Sequence, residues 1–170
     1  MMPVGPGAAG PSLRPVRAGD EPALWAILEP VIRAGETYAL DPAMEEAAAL
    51  AYWLGAGKEC WVAEADGRMV GTYALRANQP GGGDHVANCG YMTAPWATGR
   101  GIARAMCLHS MERARARGFR AMQFNFVIST NARAVRLWLS LGFAEVGRLP
   151  GAFRHPRDGD VDALVLFRAL

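Results

Sequence analysis

The sequence predicts an α/β (α+β) protein built on one mixed sheet, mostly antiparallel with a single parallel pair, with helices on both faces. Three observations point there. A strand, helix and strand at 85–93, 101–117 and 121–128 make a βαβ unit, whose right-handed crossover sets the two strands parallel. Ahead of it, Cys60–Ala65 and Met69–Ala77 flank Asp66-Gly67-Arg68, a strong hairpin signal that makes this pair antiparallel. Two helical segments precede the hairpin and no internal repeat is present, so the order is β-α-α-β-β-β-α-β-α-β-β.

Each element has a local cause. Met1–Pro11 is aperiodic Pro, Gly, Ala and Met and is expected to be a disordered tail, ahead of a single domain over residues 12–170. Leu13–Arg17 alternates weakly as a short strand. Asp20 as N-cap and Pro22 in the first turn open a helix to about Ala34, with Pro30 as a point where it kinks or ends early. Asp41 and Pro42 are expected to open a second helix, carrying Met44, Leu50, Trp53 and Leu54, which Gly55 and Gly57 stop. A glycine-rich loop, Asn78–Asp84, leads into the βαβ unit. Another helix spans Asn131–Leu141, ended by Gly142, and strands at Ala144–Arg148 and Val161–Arg168 close the chain.

Composition excludes several classes. With 170 residues, 51% of them hydrophobic, the chain has material for one real core, a domain of this size burying roughly 70% of its unfolded surface. All but one of its 18 basic residues are arginine, against 16 acids, and a net charge of +2 argues against a polybasic nucleic-acid binder. Arg113, Arg115, Arg117 and Arg120 are expected to face water at a helix end. No apolar run suits a membrane span and no signal peptide is evident, so a cytoplasmic protein is expected. Cys60, Cys89 and Cys107 lack zinc spacing and lie in apolar segments, which suits reduced structural thiols; no metal is expected.

Chemistry concentrates where the parallel strands end, at residues 90–103 and 126–131. Thr93-Ala-Pro-Trp-Ala-Thr-Gly-Arg-Gly-Ile-Ala-Arg-Ala-Met106 passes from strand to helix through glycines. Free N–H groups at the helix start and the positive end of its dipole suit phosphate, with Arg100 and Arg104 adding charge. A dinucleotide fingerprint is excluded because Arg104 stands where its third glycine is needed, and a Walker A loop because Gly-Lys-Ser/Thr is missing. Asn88 and Asn125 are a second signal. Asparagine is depleted in strands, and a buried amide without a partner costs roughly 1–3 kcal/mol, so each serves either a shared pocket or a structural bond to its neighbour or a bulged backbone.

Pro95-Trp-Ala-Thr98-Gly99-Arg100-Gly101-Ile102-Ala103 resembles the pyrophosphate loop of the GNAT family of N-acetyltransferases. Asn131-Ala-Arg-Ala134-Val-Arg-Leu-Trp138-Leu-Ser-Leu-Gly142-Phe143 resembles that family's second signature. The resemblance implies a GNAT-like fold and acetyl transfer from acetyl-CoA to an amine by direct attack in a ternary complex. It assigns Thr98, Gly99, Arg100, Gly101, Ile102, Ala103 and Arg104 to the pyrophosphate, and Met92, Thr93 and Asn131 to the pantetheine. A backbone N–H near Tyr91 or Met92 would polarise the thioester. Met122-Gln-Phe-Asn-Phe126 with Leu137-Trp138 is similar to a subgroup of fungal enzymes acetylating proline analogues such as azetidine-2-carboxylate, which implies that Asn88 and Asn125 position the acceptor and assist transfer. Two positions depart from the family: Thr98 replaces Arg or Gln, and Trp138 replaces the tyrosine that serves as general acid. Glu36 and Tyr38 are candidates for shaping the acceptor pocket and His155 is a candidate base. The expected partners are acetyl-CoA and a small amine, with a homodimer implied by the resemblance and no nucleic acid or membrane. A non-catalytic acyl-CoA sensor and acetylation of a protein N-terminus, polyamine or antibiotic remain the alternatives.

Overall fold

In the computed structural model, which describes residues 10–170, seven strands form one sheet. The elements are β1 (Ser12–Pro15), α1 (Glu21–Ala34), α2 (Glu46–Trp53), β2 (Glu59–Ala65), β3 (Arg68–Ala77), β4 (Val86–Thr93), α3 (Ile102–Ala116), β5 (Ala121–Ile128), α4 (Ala132–Ser140), β6 (Ala144–His155) and β7 (Gly159–Ala169). Spatial order is β1-β2-β3-β4-β5-β7-β6, and every neighbouring pair is antiparallel except β4–β5. The β2–β3 turn holds Asp66 at φ 53° and Gly67 at φ 71°, the left-handed pair that a two-residue hairpin requires. The Met1–Pro11 tail expectation lies outside the described residues as far as residue 9.

Side-chain alternation distributes the helices over both faces. On β3, a Cβ at Gly71 would sit 2.9 Å from Met106 Sδ, and the Tyr73 hydroxyl lies 2.7 Å from His109 Nδ1, so odd positions face α3. Thr72, between them, accepts a hydrogen bond from Trp53 Nε1 at 3.0 Å and faces α2. On β4, Tyr91 meets Ser110 of α3 through its hydroxyl, while Gly90 lies beneath Tyr38 and Trp53. The α4 helix joins the α3 face, with Trp138 packed against Tyr91 and Phe124 at ring separations of 5.1 and 5.2 Å. Trp138 is therefore a core residue, and a polar side chain there would break an aromatic cluster.

Several expectations shift. The second helix begins at Glu46, not at Pro42, because the Asp41 carboxylate accepts from Ala43 N–H and its carbonyl from Met44 N–H, closing a turn instead. Asp20 sits at the N-cap position of α1 but makes no side-chain cap; its carboxylate holds the Arg14 guanidinium at 2.8 Å and the Arg17 N–H. Proline 30 does not end α1, which runs on to Ala34 and closes through left-handed Gly35. The last two strands are longer than expected. β6 runs through Pro150-Gly151 because it is an edge strand whose irregular pairing absorbs the missing N–H. Arg113 and Arg117 are not simply solvated: both bind Glu59, at 2.8 and 3.4 Å. The three cysteines are unpaired thiols, and burial pushes Cys60 and Cys107 up to about 11, which keeps them protonated.

Candidate active site

The parallel pair is the origin of the site because it is so short. Only Val86↔Ala121 and Ala87↔Met122 are in register; beyond them β4 and β5 diverge. Main-chain parity decides what enters the gap. Val86 C=O accepts from Asn78 N–H, and Ala94 N–H donates to Val70 C=O, so even-numbered residues of β4 direct their peptide groups at β3. Odd-numbered Cys89, Tyr91 and Thr93 direct theirs into the gap. Tyr91 C=O accepts from the Tyr38 hydroxyl at 2.9 Å, while its N–H is left without a strand to pair. Burial pushes the Tyr38 phenol well above its ordinary pKa, which keeps it the donor this bond needs.

Asn88 closes the fork. Its Nδ2 donates to Gln123 C=O at 2.9 Å, one residue past the last backbone pair, substituting a side-chain amide for the missing rung. Asn125 lies in the bulge where β5 slips against β7 between Phe124 and Val127. Its Oδ1 accepts from Gln123 Nε2 at 2.9 Å and its Nδ2 donates to Asn78 Oδ1 at 2.7 Å. Both asparagines thus have structural bonds, and both line the same cavity of about 840 Å³.

At the carboxyl end of β4 the cavity is closed by the glycine loop. Gly99 and Gly101 have φ of 81° and 76°, conformations that L side chains rarely adopt. The turn they make aims the free N–H groups of Ile102, Ala103 and Arg104 outward at the start of α3, where the dipole is positive. Thr98 Oγ1 donates to Pro95 C=O and is spent on the turn. Asn131 caps α4 by accepting from Ala134 N–H at 3.3 Å while also lining the cavity.

Of the residues singled out in the sequence, the cavity brings together Tyr38, Asn88, Asn125, Met92, Thr93, Thr98, Gly99, Gly101, Ile102, Ala103, Arg104 and Asn131. Within that set Met92 contributes little main chain, since its peptide groups pair with Thr72 of β3. Arg100 and Glu36 are not in the lining. Arg100 is drawn 2.7 Å from Asp66 on the hairpin turn, and Glu36 pairs with Arg157 of the β6–β7 turn. His155 is also outside it, buried with Nδ1 accepting from Arg157 and Asp158 N–H, which secures that turn. Sequence reasoning missed Arg133, whose guanidinium reaches within 3.0 Å of where a Gly99 Cβ would stand, and Lys58 and Arg76 at the other end of the cavity. Position 133, two residues past Asn131 in the second signature, was the available signal for the first; Lys58 and Arg76 gave none.

Residues 25–143 match the Acetyltransferase (GNAT) family. The chain belongs to the GNAT family. A GCN5-related N-acetyltransferase from Kribbella flavida is 40% identical, with a TM-score of 0.90 over 95% of this chain and 98% of that one. The GNAT phosphinothricin acetyltransferase from Sinorhizobium meliloti, solved in complex with acetyl-CoA, superposes with a TM-score of 0.83 at 21% identity, over 95% of this chain and 89% of that one, which is a likeness of fold. Among curated proteins, the N-acetyltransferase aca1 of Schizosaccharomyces pombe is 32% identical over 98 residues, 57% of this chain. The chain spans about half the length of that relative, 47% of it.

Proposed function

We propose that this GNAT protein transfers an acetyl group from acetyl-CoA to the primary or secondary amine of a small molecule, by direct attack with both substrates held between β4 and β5. The observation that carries the reading is the fork itself: an unpaired strand edge ending in a left-handed glycine loop. These residues fit acetyl-CoA. An open strand edge suits an extended pantetheine chain with its amides, and the loop amides with Arg104 and Arg133 suit a pyrophosphate.

Acetyl-CoA supplies the activated acetyl thioester. Within the protein, the Tyr91 N–H aimed into the gap donates to the carbonyl oxygen as negative charge grows there, and Tyr38 fixes that strand segment by holding the Tyr91 carbonyl. Asn88 and Asn125 orient the acceptor with the hydrogen-bonding capacity their structural bonds leave over. Among the described residues the cavity lining contains no His, Asp or Glu. An amide is no base at neutral pH, so the amine's proton passes to water that the asparagines order. Trp138 supplies no proton to the departing thiol. A thiol of ordinary pKa near 8.5 lies ~1.5 units above pH 7, and its leaving unprotonated costs only about 2 kcal/mol.

Titration calorimetry with acetyl-CoA tests the cofactor half of this reading: wild type should bind, and Gly101→Glu, which sets a carboxylate at a φ of 76° in the loop, should bind at least tenfold more weakly. Equal affinity removes the loop from the site. Thiol release over imino acids, amino acids, aminoglycosides and polyamines tests the other half, and binding without release from any amine would refute catalysis.

A further inference from the structure

The cavity carries cations at both ends, and only one end is explained by a pyrophosphate. Arg104 and Arg133 lie beside the glycine loop; Lys58 and Arg76 lie beyond Asn88, at the far end of the sheet's row. Glu59 pairs with Leu75, so the next position outward sets Lys58 opposite Arg76, and Arg76 in turn pairs with Asn88. Parity puts all three side chains on the α1–α2 face: Thr72 and Gly90 point there on β3 and β4, and Cys60 Sγ reaches Trp53 C=O from β2.

Two like charges directly opposite each other on neighbouring strands destabilise a sheet. Neither Lys58 nor Arg76 has an acidic partner among the described residues, and Glu59, one residue away, points to the other face, where Arg113 and Arg117 hold it. Burial first and the charge of Arg76 second push the Lys58 amine below its ordinary pKa. Lys58 is fixed rather than loose: its ammonium donates to Tyr52 C=O and lies 4.0 Å from that ring's centroid.

We infer that Lys58 and Arg76 form an anion subsite for the carboxylate of the acceptor, so that the substrate class is amino or imino acids rather than polyamines or aminoglycosides. This rests on the acetyl-transfer reading above. Asn88 and Tyr91 are three residues apart on β4, about 10 Å of strand, a span within reach of a small amino acid together with the long side chain of Arg76, which lines the same cavity. The carboxylate is held at the cationic pair while the amine lies towards the Tyr91 N–H. A polycationic amine would meet like charge at both ends of the cavity.

The test is thiol release from acetyl-CoA with azetidine-2-carboxylate, proline and alanine, each beside its carboxamide, together with calorimetric acetyl-CoA affinities. The acids should exceed the amides at least tenfold in kcat/KM. Arg76→Gln should raise the acid's KM tenfold or more, leave the amide's KM and the acetyl-CoA Kd as in wild type, and so erase the preference. Arg76 is exposed and without an acidic partner, so this variant should fold; Lys58→Gln should cost more than Lys58→Arg. Amides turned over as well as acids, or an acid KM unmoved in Arg76→Gln, overturns the anion subsite while leaving acetyl transfer standing. Loss of acetyl-CoA binding in wild type itself overturns both.

Discussion

Replacing Asn88 by alanine separates the two duties this residue is given. In the native chain its Nδ2 donates to Gln123 C=O at 2.9 Å, one step beyond the Ala87↔Met122 pair where the β4–β5 ladder stops. Alanine leaves that half-buried carbonyl without its donor, a cost of about 1–2 kcal/mol, with water recovering part of the bond. For a chain of this length that is a fall of about 2–8 °C in Tm, read by calorimetry or by urea denaturation. If Asn88 also orients the acceptor, kcat/KM per folded molecule should drop at least tenfold, or about 1.4 kcal/mol of transition-state stabilisation, while acetyl-CoA affinity changes less. A stability loss with unchanged kcat/KM would confine Asn88 to fastening the fork. An unchanged melting temperature would refute the argument that it replaces a ladder bond at all.

Three further outcomes are expected. Tyr38→Phe should lose about 1–3 kcal/mol of stability, since it removes the donor to the Tyr91 carbonyl, and should lower kcat by freeing the strand segment that carries the Tyr91 N–H; unaltered urea midpoint and kcat would contradict this. Gly71→Ala should cost about 1–3 kcal/mol because its Cβ would come within 2.9 Å of buried Met106 and 3.0 Å of Ile102; a midpoint equal to wild type would mean Met106 yields freely. The Arg14 guanidinium holds the Asp20 carboxyl below its ordinary 3.8, so its stabilisation is present above that pH and lost as pH falls through the lower folded value. Asp20→Asn should therefore be less stable than wild type at pH 7 and nearly equal to it in strong acid, and a constant difference across that range in urea melts would exclude the linkage.

What the sequence made legible was local. Asp66-Gly67 and the Gly99-Arg-Gly101 loop announce themselves because each needs positive φ, a requirement few residues meet, and both structures fall within a few positions of the signal. The fork was not legible, since its depth is set by where backbone pairing stops, and that depends on Tyr38 reaching Tyr91 and Asn88 reaching Gln123, separations of 53 and 35 residues. The same distance effect misassigned the charges. Arg100 stands inside the glycine motif but is claimed by Asp66, 34 residues earlier, whereas Arg133, on α4, comes back over Gly99. Edge position likewise let β6 run through Pro150, because an outer strand has only one ladder to maintain.

For the two asparagines, structural bond and pocket are not exclusive: the fork lets one residue make a structural bond and still line the cavity. Separating two parallel strands exposes peptide groups that a ladder would have satisfied, and the point of separation needs a side chain able to finish the last rung. A carboxylate would accept but not donate, so it could not bind the Gln123 carbonyl, and beside Lys58 and Arg76 it would cancel the cationic field. A lysine or arginine would donate but add charge to a pair already without counter-ions. Neutral amides at Asn78, Asn88, Gln123 and Asn125 tie the open end of the sheet together and leave the potential of the cavity to its two cationic ends. On the acetyl-transfer reading, those ends draw a pyrophosphate to one side and a carboxylate to the other, and the uncharged middle, at the Tyr91 N–H, is where a neutral amine is least penalised for attacking.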